Sequence, residues 1–333
     1  MSLGGFNVED RREELLSQYH LSVESVKKVR GMYVVMTDQG LKLLASCNRS
    51  ENKVAKEARL LDGLKDRTDI RLDTYVLSSE GNYLVSDCMG NRYLMRDWYR
   101  GEECSLQNME HIRRASRTLS MLHKAMEDTA QVFPDDGWEE NNVIRIYEKH
   151  TREMKRLHSY ILGKKQKNDF EMTWMSVFPS FYEEAQNALE RLKESAYPAL
   201  WQKEKERRCF QHNNYTYHNI LMLKDGEAVT EFQKAKPGLQ LWDLYMFLRK
   251  ALEKNEWDIR LADEIIKNYD AFGGLTKEQI NLLEIFLSYP EKFWKLSNYY
   301  YNSRKNWVSL RTREKLEQIR SQQTAKMRFL KSF

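Results

Sequence analysis

Proline and glycine are scarce in this 333-residue chain, at 5 and 14 residues. That scarcity excludes collagen-like, low-complexity and linker-dominated architectures. Cysteine is scarcer still: Cys47, Cys88, Cys104 and Cys209 show no C-x-x-C spacing. A zinc site is therefore not expected. No apolar run approaches the roughly 20 residues that span a bilayer, so no membrane span is expected. The opening MSLGGFNVEDRREELL lacks a basic stretch followed by an apolar one, so no signal peptide is expected and synthesis is read as cytoplasmic. No nucleic-acid-binding motif occurs either, and nucleic acid is not an expected partner.

What is present points to a folded, core-forming chain. Apolar residues make up 41%, with 8 Trp, 18 Tyr and 13 Phe, and 31% are charged. The net charge of +5 is uneven: residues 304–333 carry nine Lys/Arg against two Asp/Glu. A basic tail of this kind reads first as a solvated helix face and second as a contact for acidic partners.

The first ninety residues mix strand and helix signals. Val26–Val29, Met32–Met36 and Leu41–Leu44 read as strands, with Asp38-Gln39-Gly40 as a turn. Glu51–Leu64 reads as a helix with Val54, Ala58 and Leu61 on one stripe. Leu72–Leu77, Tyr83–Ser86 and Arg92–Met95 read as further strands. Beyond Gly101 the pattern turns helical, over Met109–Met126, Val143–Leu162 and 169–195. Ile220–Leu223 and Ala228–Phe232 interrupt it as a hairpin around Asp225-Gly226, and Thr276-x-x-Gln279 reads as a capping box opening a later helix. The expected fold is α+β and bilobal, with a β-rich small lobe over 1–98 and a helical large lobe over 99–333.

The segment Phe210-Gln-His-Asn-Asn-Tyr-Thr-Tyr-His-Asn-Ile-Leu-Met222 resembles the catalytic loop of the aminoglycoside phosphotransferases, H-x-D-x-x-x-x-N followed by apolar residues. His212 and Asn219 match that pattern, and Asn214 stands in place of its Asp. Thr230-Glu-Phe-Gln233 aligns with the family's next element, so Glu231 stands where a metal-binding Asp is expected. Gly238, Asp243 and Leu244 match a following segment, and Leu119-Ser-Met-Leu-His-Lys124 resembles the family's L-A-x-L-H helix. A narrower resemblance, carried by Tyr289–Asn302 with Trp307, by Asp97–Glu102 and by Val29–Val34, is to bacterial spore coat proteins of the CotS type.

The resemblance implies a protein-kinase-like fold and the parts that phosphoryl transfer requires. A strand lysine would hold the phosphates and a helix glutamate would hold that lysine. An aspartate would accept the substrate proton, and an Asp with an Asn would hold magnesium. Counting from Gly40, the lysine position is Ala45, and strand alternation turns the nearby Lys42 to the other face. Glu57 fits the helix position without an obvious lysine; its simpler reading is a surface residue making local pairs. An Asn at 214 has no basic site, a loss worth about 10²–10⁴ in rate, or roughly 3–5 kcal/mol. Asn219 and Glu231 are then vestiges of a metal site, and Asp243 would brace the loop. His218 has no family counterpart as a base; it reads as lying on the loop surface or stacking on Tyr215 or Tyr217. The expected reading is a catalytically degenerate kinase-fold protein, a structural or interaction component of the spore coat whose partners are other coat proteins. ATP and magnesium are not expected cofactors. The alternatives are an active phosphotransferase of the aminoglycoside, choline or sugar type, or a nucleotide- or metabolite-binding protein without transfer.

Overall fold

The computed structural model describes residues 8–127, 138–303 and 309–333; Trp307 and the start of the basic tail lie outside them. In chain order the elements are α1 (Val8–Leu16), β1 (Val23–Val29), β2 (Met32–Thr37), β3 (Gly40–Ser46), α2 (Glu51–Lys65), β4 (Arg71–Leu72), β5 (Tyr75–Val76), β6 (Val85–Ser86), β7 (Arg92–Asp97) and β8 (Glu102–Glu103). Then follow α3 (Met109–Glu127), α4 (Val143–Leu162), α5 (Asp169–Glu194), α6 (Tyr197–Glu206), β9 (Phe210–Gln211), β10 (Ile220–Leu223), β11 (Gly226–Val229) and β12 (Lys236–Pro237). The chain ends with α7 (Leu241–Lys254), α8 (Ile259–Asp270), α9 (Lys277–Ser288), α10 (Glu291–Asn302) and α11 (Leu310–Ser332).

The described residues form two compact units, one of 8–105, 121–127 and 212–235, the other of 106–120, 138–211, 236–303 and 309–333. In the first unit β1-β2-β3-β7-β5 run in that order across a sheet, with β6 paired to β7. Strand alternation gives the sheet two faces. Val35, Leu44 and Met95 pack with Leu15, Leu16 and Tyr19, and Cys47, Val54 and Leu94 form a separate cluster that includes α2. The hairpin β10–β11 also belongs to this unit, flanked by β8 and β4. Gly101 fits against it because a Cβ there would sit 2.8 Å from the Met222 carbonyl oxygen.

The structure departs from the sequence reading at two strands. The expected strand Leu72–Leu77 is two short strands, broken at Asp73-Thr74 because the Asp73 side chain turns inward to ionic partners. The expected return strand to Phe232 ends at Val229, and Glu231 takes a left-handed conformation, φ 68°.

The second unit is mainly helical. Its core is aromatic: Trp174 and Phe181 stack on Phe293, and Tyr147 stacks on Tyr289 at 3.7 Å between centroids. The aromatic run of α10 divides its work. Tyr300 packs on Phe170 while Tyr299 and Tyr301 are exposed. No helix among the described residues is long and apolar enough to cross a membrane.

Candidate functional site

Glu57 sits on the buried face of α2, 4% exposed, and is no surface residue. Two arginines hold it. Arg49 donates from Nη1 to Glu57 Oε2, and the Arg96 guanidinium lies 3.2 Å from Glu57 Oε1. Arg96 reaches this face through strand register. Leu43 pairs with Arg96 and Ala45 with Leu94, so Ala45 and Arg96 share one face. Lys42 pairs with Asp97 on the opposite face and donates to its Oδ1 at 2.6 Å.

Arg96 is committed further. It donates to Asp73 Oδ2 at 2.7 Å and to the Tyr75 hydroxyl at 2.8 Å, with its guanidinium 4.6 Å from the Tyr75 ring centroid. Asp73 Oδ2 also accepts the backbone N–H of Glu231 at 3.0 Å. Burial pushes the Asp73 carboxyl up to about 6, against the pull of Arg96 and of that N–H. Burial works against the charge on Arg96, yet Asp73, Glu57 and Tyr75 together raise its pKa above the ordinary arginine value. One α2 carboxylate, two arginines and one loop carboxylate thus form a buried lattice that ends on the turn carrying Glu231.

The loop from His212 is pinned in the same unit. His212 is fully buried; its Nδ1 accepts the Asn214 N–H at 3.1 Å, which leaves Nε2 protonated and donating to the Thr230 carbonyl at 3.1 Å. With both ring nitrogens engaged on backbone, His212 shapes the loop and has no free lone pair for a proton. Asn219 donates from its amide to the Asn214 carbonyl at 2.9 Å. The Asn214 side-chain oxygen faces Lys234 Nζ at 3.5 Å, and Glu231 accepts from the Gln233 amide. His218 lies tilted on Tyr217 and shares Glu103 with Arg30.

A family model described as "Spore coat putative kinase YutH" matches residues 12–333. The chain belongs to this family. Spore coat protein S of Bacillus subtilis (strain 168) is 22% identical over 326 residues, 95% of this chain and 92% of that one. Among solved structures, an aminoglycoside phosphotransferase from Alicyclobacillus acidocaldarius superposes with TM-score 0.83 at 18% identity, covering 96% of this chain and 94% of the other. The amicoumacin kinase hAmiN superposes with TM-score 0.62 at 12% identity, covering 97% and 94%. These likenesses show an α+β aminoglycoside phosphotransferase-like fold for this member of the coat family.

On that fold the first unit brings together Ala45, Glu57, His212, Asn214, Asn219 and Glu231. Asp243 belongs to the second unit, buried in the first turn of α7, where its charge partly offsets the burial that lowers the Lys236 pKa. Three residues of the lattice were not legible in the motif: Arg49, Asp73 and Arg96. The available signal was strand pairing. An arginine in the strand beside β3, whose expected lysine position is Ala45, can be checked for which face it shares.

Proposed function

We propose that this chain is a kinase-fold component of the spore coat that acts through its surfaces and has lost phosphoryl transfer. The observation that carries the reading is the state of Glu57. Its carboxylate is already neutralised by Arg49 and Arg96, and Ala45, which the resemblance aligns with the phosphate-holding lysine, shares the face of Arg96. Two further features support it. The base position holds Asn214, whose amide takes no proton at neutral pH, and the neighbouring His212 is tied to backbone at both nitrogens. Glu231 adds one methylene to the expected aspartate and leans on Gln233, a poor start for the tight octahedron magnesium requires. Membership of the coat family supports the location, and other coat proteins are the partners this reading implies.

A second reading, nucleotide or metabolite binding without transfer, is favoured by Lys234, an exposed cation beside Asn214. Titration of the purified chain with millimolar ATP and magnesium, followed by calorimetry and thermal shift, separates the two. No heat and no shift are expected. A shift with no turnover would favour the second reading. Phosphate transfer that Glu231→Ala abolishes would overturn the degenerate assignment in favour of an enzyme.

A further inference from the structure

In a working site of this kind, the helix carboxylate is held by the lysine that also holds the nucleotide, so the helix and the metal-binding turn are coupled through the ligand. Here the coupling runs through protein alone. Arg96 stands on β7, one strand from Ala45, and shares its face. From there it touches Glu57 of α2 at 3.2 Å and Asp73 at 2.7 Å, and Asp73 holds the N–H of Glu231 at 3.0 Å. Glu231 is in the left-handed region, φ 68°, which a side chain adopts at a cost unless its surroundings hold it there. α2 itself lies against the turn Phe232–Lys234 that follows. Arg96, Glu57 and Asp73 are 6%, 4% and 1% exposed, so water screens these charges little.

We propose that Arg96 is a built-in substitute for the ligand-borne clamp: it fastens α2 to the Glu231 turn permanently, so the first unit stays assembled with no polyphosphate bound. The inference deepens the degenerate reading and rests on it for its biological sense, though its geometry stands independently. It assigns Arg96 and Asp73 a positioning role that the loss of the β3 lysine made necessary. A guanidinium suits the place because its planar fork reaches two carboxylates and a hydroxyl at once, where an ammonium is a single point of charge. Arg49 is the lesser partner, since it is more exposed and holds Glu57 without reaching Asp73.

Amide hydrogen exchange on the full chain, with no nucleotide present, tests this. In Arg96→Met, amides at Leu60 and Leu61 of α2 and at Glu231 are expected to exchange about tenfold faster or more, while those of α9 stay close to wild type. Arg96→Lys should fall between the two, and Asp73→Leu should release the Glu231 amide while leaving α2 protected. Unchanged α2 exchange in Arg96→Met would overturn the proposal. So would equal acceleration of α2 and α9 in both Arg96→Met and Arg96→Lys, which would mean a general loss of stability. Should Arg96→Met not fold, Arg96→Lys and Asp73→Leu decide by the same pattern. Because no nucleotide enters the experiment, wild-type binding of ATP–magnesium would sink the degenerate reading without touching this result.

Discussion

Asp73 is buried to 1% exposure between an arginine and a backbone N–H, and burial pushes its carboxyl up to about 6. The unfolded chain titrates the same group near 4, so the folded chain takes up its proton first as the pH falls. The stability linked to Asp73 is therefore present in full below the unfolded value and is lost as pH rises through about 6. Comparison with Asp73→Asn isolates it. Between pH 7 and pH 4.5, wild type should gain about 2 kcal/mol over the variant in urea unfolding. A gap that stays flat would mean that Arg96 keeps Asp73 ionised throughout. None of this was legible in the sequence, for a physical reason. A charged residue in a strand reads as solvent-facing, and only the register Leu43 to Arg96 turns Arg96, the partner of Asp73, toward α2. Ala45 was assigned by counting from Gly40 on the resemblance, whereas Glu57 read as a surface residue because Arg96 reaches it from a strand distant in sequence.

At the scale of elements, local chemistry decided how much could be read. The capping box at Thr276 is present as expected: Thr276 Oγ1 accepts the Gln279 N–H at 3.2 Å, and the Gln279 side chain accepts the Thr276 N–H at 2.9 Å. Thr276→Ala should cost about 1 kcal/mol in thermal unfolding, and Thr276→Ser close to nothing. α4 begins and ends where its periodicity placed it, but α6 escaped notice because its Tyr197-Pro198 start carries no polar cap. α11 shows the limit of a compositional reading. Most of its basic residues are exposed, yet Lys326 is 6% exposed, with Nζ 3.1 Å from Glu184 and 2.9 Å from the Ser288 carbonyl. Burial lowers its pKa, and Glu184 partly restores it. Lys326→Met should destabilise the chain by about 1–3 kcal/mol, less than a fully buried pair because Glu184 keeps some solvent. Adding Glu184→Leu should recover most of the loss; failure to recover would place the effect in packing rather than charge.

For the molecule as a whole, the fold is aminoglycoside phosphotransferase-like, and the proposed reading, in which several parts of the reaction are lost in series, implies that no single replacement restores it. A general base contributes about 10²–10⁴ in rate, but only to a nucleotide already held and oriented. Asn214→Asp alone is therefore expected to leave ATP turnover at the wild-type level, with the new carboxylate drawn to Lys234, 3.5 Å from the present amide oxygen. Ala45→Lys alone should do little more, because Arg49 and Arg96 already occupy Glu57. The combination Ala45→Lys, Arg96→Leu, Asn214→Asp and Glu231→Asp removes one of the two cations on Glu57, supplies the lysine and the base together, and shortens the carboxylate at 231. Thermal melts of that variant should rise with ATP–magnesium, by about 2.7 kcal/mol at a hundredfold excess over Kd, while wild type and each single variant stay level. Turnover by Asn214→Asp alone would mean that the nucleotide was being held all along. The arginine lattice would then be an accessory to binding, and the chain an enzyme short of one acid.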